Sequence, residues 1–303
     1  MDYRKVMGVE KLADEAHGGL GVTIAILDSG CPKPQCLPSI LVYQDGVNQI
    51  DEFGHSTAVA SILFGGNGII GLCEGARPYY VKVLDDKGVG SVESVVDGIY
   101  LALEHGVDII NLSLGFMRTD KCPRSLEKAC EAARDAGKVI FCAAGNDGGP
   151  VNWPAALKST LCVGSVSENG LKTSFSSVGE VDFVAPGQNL AVLDTNGSVI
   201  RVGGTSFSTA LVTGVAALLV AKMKDRNPRS VCFESVFGAL CRMSSDVDLP
   251  GWDKMTGYGL IHGKCTDPTV CMSIPVGFFG RILNKIKSLI GINDKGATDG
   301  VKV

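Results

Sequence analysis

The stretch VTIAILDSG, residues 22–30, decides the architecture. A short apolar, β-branched run ends on an acid and then a Ser-Gly turn, which reads as a buried strand with a carboxylate at its carboxyl end. Runs of the same kind follow at ARPYYVKVL (76–84), VDIINLSL (107–114), KVIFCAA (138–144) and TLCVGSV (160–166). Between them, SVESVVDGIYLALEHG (91–106) and CPRSLEKACEAARDAG (122–137) have helical spacing and a closing glycine. Strand and helix in alternation predict an α/β fold, a mostly parallel central sheet between helices. Sites in such sheets gather at the carboxyl ends of the strands.

From about Asp182 the strands shorten, and a long helix is expected over Ser206–Arg226, opened by Gly203-Gly204-Thr205, with a second over Ser230–Arg242. After GYGLIHGKC (257–265) the composition changes, leading into VGFFGRILNKIKSLIGI (276–292). The expected organisation is an N-terminal segment 1–17, a catalytic domain 18–265 and a tail 266–303, without internal repeats. Within the tail, Phe278, Phe279, Ile282, Leu283, Ile286, Leu289 and Ile290 recur on one helical face, with Arg281, Lys285 and Lys287 as its charges. Such a helix packs back on its own domain, or contacts a membrane surface or a partner.

The chain has 303 residues, 45% hydrophobic and 20% charged, which suits one large globular domain. A net charge of −4 with both signs interspersed gives no basic stripe, so no nucleic-acid partner is expected. The apolar run GVAALLVAKM (214–223) is shorter than the roughly 20 residues that span a bilayer, and the first residues carry no apolar signal segment. The 11 cysteines are odd in number and lack a CxxC pair, and several, such as Cys142 and Cys162, lie in apolar strands. They are read as reduced core residues, and the location as cytoplasmic; Cys31 and Cys36, close to Asp28, leave a redox or metal role open.

Four separated segments place a reactive polar side chain at a strand end or a Gly-rich turn. Asp28 ends the first strand, where an aspartate is otherwise a turn or capping residue. His55 stands in DEFGHSTAVA, at the start of an Ala/Val-rich helix; of the four histidines it is the best placed to act as a base. Ser206 opens the long helix after two glycines and a threonine, where a serine is otherwise an N-cap. Asn146, in FCAAGNDGG, is either a turn residue or an amide donor aimed into a cleft. A serine nucleophile needs an imidazole base, a carboxylate to fix its tautomer and donors for an oxyanion, and all four parts are present.

In order and flanking residues the chain resembles the subtilisin-like serine proteases: VTIAILDSG, GHSTAVA, AAGNDGG and GGTSFSTALVTGVAALL carry the likeness, with NLSLG, SFSSVGEVDFVAPG and GYGLI in support, over about residues 18–265. The resemblance implies a three-layer subtilisin-like fold and a serine endopeptidase without a cofactor. It implies Asp28, His55 and Ser206 as the triad and Asn146 as the oxyanion donor. It also implies Ser113, Leu114, Gly115, Ala144 and Gly145 as the S1 walls, Gly88–Ser91 (with Gly90) as the opposite flank, and a peptide substrate bound as an extended strand.

The chain departs from the family at Ser56 and Ala58 after the histidine, at Ala210 and Leu211 after the nucleophile, and at Ala155 beside the pocket. FGGNGIIGL replaces the family's calcium-binding loop, so no metal site is expected; no propeptide-like domain is seen before the catalytic region, as expected of a chain from which one has been removed or, the preferred reading, of a cytosolic type that folds without one. A dedicated processing or leader peptidase is the expected function; a catalytically silent peptide-binding relative is the alternative, and an esterase on the same triad is a third.

Overall fold

Along β1 (Thr23–Asp28) the side chains divide between two cores. Ile24 and Ile26 join the apolar cluster on one face of the sheet, and Ala25 and Leu27 join the cluster on the other, all four fully buried. This is the two-residue period of a strand covered on both sides. The computed structural model describes residues 1–37, 49–118 and 121–263, which belong to one compact unit, Met1–Cys265. The expected tail helix lies outside the described residues.

β1 follows two short helices, α1 (Tyr3–Val6) and α2 (Glu10–Glu15). The other strands of the main sheet are β2 (Arg77–Lys82), β3 (Ile109–Leu112), β4 (Val139–Ala143), β5 (Leu161–Val166), β6 (Phe183–Pro186), β9 (Ser244–Ser245) and β10 (Leu260–Ile261). The order is β2-β1-β3-β4-β5-β6-β10-β9, parallel throughout except where β9 meets β10. β7 (Leu190–Leu193) and β8 (Val199–Val202) form a separate antiparallel pair.

Two helices, α3 (His55–Phe64) and α6 (Thr205–Arg226), share the core of Ile24 and Ile26, while α4 (Val92–Glu104) and α5 (Arg124–Asp135) share that of Ala25 and Leu27. The three-layer α/β expectation is borne out. Ser91 starts α4 through a reciprocal cap with Ser94, at 3.0 and 3.1 Å. The last helix among the described residues, α7 (Phe233–Met243), starts three residues later than expected because Pro228–Ser230 forms a separate single 3-10 turn.

α6 departs from its expected reading in two ways. It begins at Thr205, and with 22 residues it is long and apolar enough to cross a membrane, alone in this among the described residues. Of its most apolar 18-residue window, 83% is buried inside the protein, packed against α3 and β3–β6, so its apolarity serves the core.

Because β1 lies between β2 and β3, the direction of winding reverses at β1. A crevice opens outside the carboxyl ends of the strands at such a reversal. Asp28 ends β1, and Ser113 immediately follows β3.

Candidate active site

Asp28 is fully buried, and its Oδ1 accepts the Ser29 backbone N–H at 2.7 Å. His55, the first residue of α3, brings Nδ1 within 2.9 Å of both carboxylate oxygens. A carboxylate only accepts, so Nδ1 carries the proton and Nε2 is left with its lone pair. The turn into α3 is made by Gly54 at φ 96°, a left-handed conformation that glycine adopts without strain. Burial pushes the His55 pKa down, but the Asp28 charge, the Asp28 hydrogen bond and the Asp51 charge together outweigh it, and the pKa stands above its ordinary value.

Ser206 lies in the first turn of α6, behind Gly204 at φ 150°. The sequence expectation has its hydroxyl give a proton to His55. In the structure that hydroxyl donates to the Ser113 carbonyl at 3.0 Å, and the Ser113 hydroxyl donates back to the Ser206 carbonyl at 2.8 Å. Ser113 is itself held by Asn111 Nδ2 at 2.9 Å, and Asn111 Oδ1 accepts from Thr213 at 3.0 Å. This chain of buried polar groups seats α6 on the end of β3. The Phe207 ring lies 5.7 Å from the imidazole, which puts the start of α6 beside His55. For attack, the hydroxyl proton has to leave the Ser113 carbonyl for Nε2.

Asn146 follows β4 and is exposed. Its Oδ1 accepts the Thr205 N–H at 2.8 Å and the Thr205 hydroxyl at 3.0 Å. The backbone donor fixes which end of the amide is oxygen, so Nδ2 points away from Thr205 as a free-standing donor. Gly145 N–H donates to the same Thr205 hydroxyl at 3.3 Å.

The expected pocket walls, Ser113–Gly115 and Ala144–Gly145, are bridged by a residue that sequence reasoning missed. Asn152 N–H donates to the Ala144 carbonyl at 2.9 Å, and Trp153 pairs with Phe116 through bonds of 2.7 and 3.0 Å. A Cβ on Gly115 would stand 3.2 Å from Asn152 Cβ, and one on Gly145 would stand 2.7 Å from Asn152 Nδ2. Both glycines therefore face the Asn152 side chain. Leu114 is half-buried against the core. On the other flank, a Cβ on Gly88 would stand 2.6 Å from the Phe53 ring, and one on Gly90 would stand 2.5 Å from the Val83 carbonyl. Phe53 and Val89 are both exposed there.

The nine described cysteines are free. Cys142 and Cys162 are register partners on β4 and β5, fully buried, and burial pushes both thiols up, as it pushes Cys31 to about 11. FGGNGIIGL closes after α3 as a tight turn: Gly66 and Ile69 exchange backbone bonds of 3.0 and 2.9 Å around Asn67 (φ 41°) and Gly68 (φ 86°).

Fold and site together set a carboxylate-held imidazole and a helix-start serine at the carboxyl-terminal edge of a doubly covered parallel sheet. A model of the Subtilase family matches residues 19–259, and the chain belongs to that family of serine endopeptidases. The minor extracellular protease Epr of Bacillus subtilis (strain 168) is 34% identical over 257 residues, covering 81% of this chain; the chain spans 38% of that relative's own length. Among solved structures, the prenylagaramide maturation protease PagA aligns at a TM-score of 0.74 with 28% identity, covering 84% of this chain and 96% of that one. A mutant protease domain of PatA aligns at 0.72 with 27% identity, covering 80% and 92%.

Proposed function

We propose that this chain is a processing endopeptidase that cuts a peptide precursor through an acyl-enzyme on Ser206. The observation that carries the reading is the Asp28–His55 pair, its carboxylate buried and its Nε2 lone pair free, beside the start of α6 at the sheet's winding reversal. As Ser206 Oγ attacks the scissile carbonyl, His55 Nε2 takes its proton and Asp28 supports the imidazolium that forms. Asn146 Nδ2 and the Ser206 N–H bind the oxyanion. His55 then gives its proton to the leaving amine, and a water, activated in the same way, releases the acyl group. The substrate lies as an extended strand between 113–115 and 88–91.

Support for a dedicated task comes from the likeness to a maturation protease and from Asn152, which leaves less depth for a P1 side chain than two bare glycine walls would. Support for an intracellular location comes from the buried, unpaired thiols. For the amphipathic pattern at 276–292, packing as a final helix is the simpler proposal and contact with a membrane surface or partner the rival; deletion of residues 266–303 separates them by melting temperature against liposome binding.

The test compares a modified-peptide precursor carrying its leader with unfolded casein. The proposal expects one or a few cuts in the precursor and little degradation of casein. Extensive casein degradation at many sites would identify a general protease instead.

A further inference from the structure

Asp51 stands four residues before His55 and is fully buried. Its Oδ1 accepts from the Ser29 hydroxyl at 2.8 Å and the Gly54 N–H at 2.7 Å. Its Oδ2 accepts from the Thr57 N–H at 2.7 Å and the Thr57 hydroxyl at 2.6 Å. Ser29 Oγ in turn accepts the Ser56 N–H at 3.0 Å. The first N–H groups of a helix have no partner within the helix, and Gly54 has no side chain with which to cap them. One carboxylate and one serine do that work for α3.

The connection has a second end. Ser29 follows Asp28 directly, and its backbone N–H donates to Asp28 Oδ1. The strand end that carries Asp28 and the helix start that carries His55 are thus tied together through Asp51. Capping alone is met by a neutral acceptor, and a fully buried charge is costly unless something answers it. The charged groups acting on His55 are Asp28, from β1, and Asp51, from the segment before α3; α6 faces it with Phe207. Asp51 in turn acts on Cys31 and Tyr80, with Lys33 and Cys36 also in its field.

We propose that Asp51 is a positioning residue of the catalytic pair: it holds the start of α3 in register with Asp28, and its charge is the second that favours the imidazolium formed when Ser206 loses its proton. The raised pKa of His55 agrees with this. The inference rests on the peptidase reading, which wild-type turnover and its loss in Ser206→Ala establish separately.

Two variants divide the roles, with kcat taken per active site titrated by a fluorophosphonate. Asp51→Asn keeps the size and removes the charge: the acidic limb of the kcat/KM profile should move down by about half a unit to one unit. Its plateau kcat should fall by about 10- to 100-fold at near-constant KM. Ser29→Ala cuts the tie and keeps both carboxylates: kcat should fall about tenfold with the limb in place. An unmoved limb in Asp51→Asn, or wild-type kcat in Ser29→Ala, overturns the proposal. Should Asp51→Asn fail to fold, Ser29→Ala decides the positional claim by itself.

Discussion

On one side of the cleft the Asp28 carboxylate, fully buried, already grips His55 by two 2.9 Å contacts, and a second buried acid braces the helix that carries the ring. On the other side the Ser206 hydroxyl rests on the Ser113 carbonyl, and Asn146 stands exposed with only its oxygen anchored. The base half is complete before any substrate arrives, while in the nucleophile half the hydroxyl proton is still donated to the Ser113 carbonyl. The difference follows from chemistry. A buried carboxylate must be satisfied at all times, whereas a hydroxyl exchanges one acceptor for another at little cost.

Each half can be broken separately, and the largest loss belongs to the nucleophile. Ser206→Ala should lower kcat about a millionfold, the order found when such a nucleophile is deleted. Melting temperature should stay near wild type, since the Ser113–Ser206 carbonyl bond remains. Activity within tenfold of wild type would show that another residue attacks.

Damage to the base half comes next. Asp28→Asn should cost about 10⁴ in kcat through the wrong tautomer, and it removes the main raising influence on His55. Because that pKa is raised, wild-type kcat/KM should climb only as pH passes above the ordinary histidine value of about 6.5. The variant's limb should shift to lower pH. The same shift affects stability: a histidine whose folded pKa is raised stabilises the fold below its unfolded pKa, and that contribution disappears as pH rises through the folded one. Melting temperature measured across that window should show this step in wild type and lose it in Asp28→Asn.

Asn146→Ala tests whether the anchored amide acts on the transition state. A loss of about 10²–10³ in kcat with KM nearly unchanged is expected. A change confined to KM would return Asn146 to the role of a turn residue. Asn152→Gly leaves the catalytic groups alone and should raise kcat/KM on large apolar P1 residues by about tenfold, the low end of what one methylene of pocket depth is worth. An unchanged P1 profile would mean that Asn152 does not limit the slot. The smallest effect is expected from a chelator, because the turn around Asn67 and Gly68 carries no carboxylate and spends the Gly66 and Ile69 carbonyls on its own closure; a melting temperature lowered by more than about 5 °C would contradict this.

What the sequence made legible was local and periodic. The apolar runs around β1, the helix spacing of α4 and α5, and the Gly-Thr-Ser opening of α6 all depend on near neighbours. Asp28, His55, Asn146 and Ser206 could be named because each follows such a signal. Asp51 sat in the same quoted segment as His55 and was passed over, because its importance lies in Ser29, 22 residues away in sequence. Asn152 was missed for a similar reason: nothing near it announces that Gly145 and the more distant Gly115 both face it. The resting partner of Ser206 depends on a rotamer, which no spacing encodes. α6 itself was legible to within one residue; what the apolar run 214–223 understated was its apolar length, because serines and threonines interrupt the run without interrupting the helix.

The central claim is that Ser206 is a nucleophile made reactive by a preformed Asp28–His55 pair. It is tested most directly by the rate of fluorophosphonate labelling as a function of pH, in wild type, His55→Ala and Ser206→Ala. The account predicts one label per chain, on Ser206, at a rate that rises with the deprotonation of His55, falls by about 10³-fold or more in His55→Ala and vanishes in Ser206→Ala. Labelling of Ser206 at an undiminished rate in His55→Ala, or of another residue in Ser206→Ala, would contradict it.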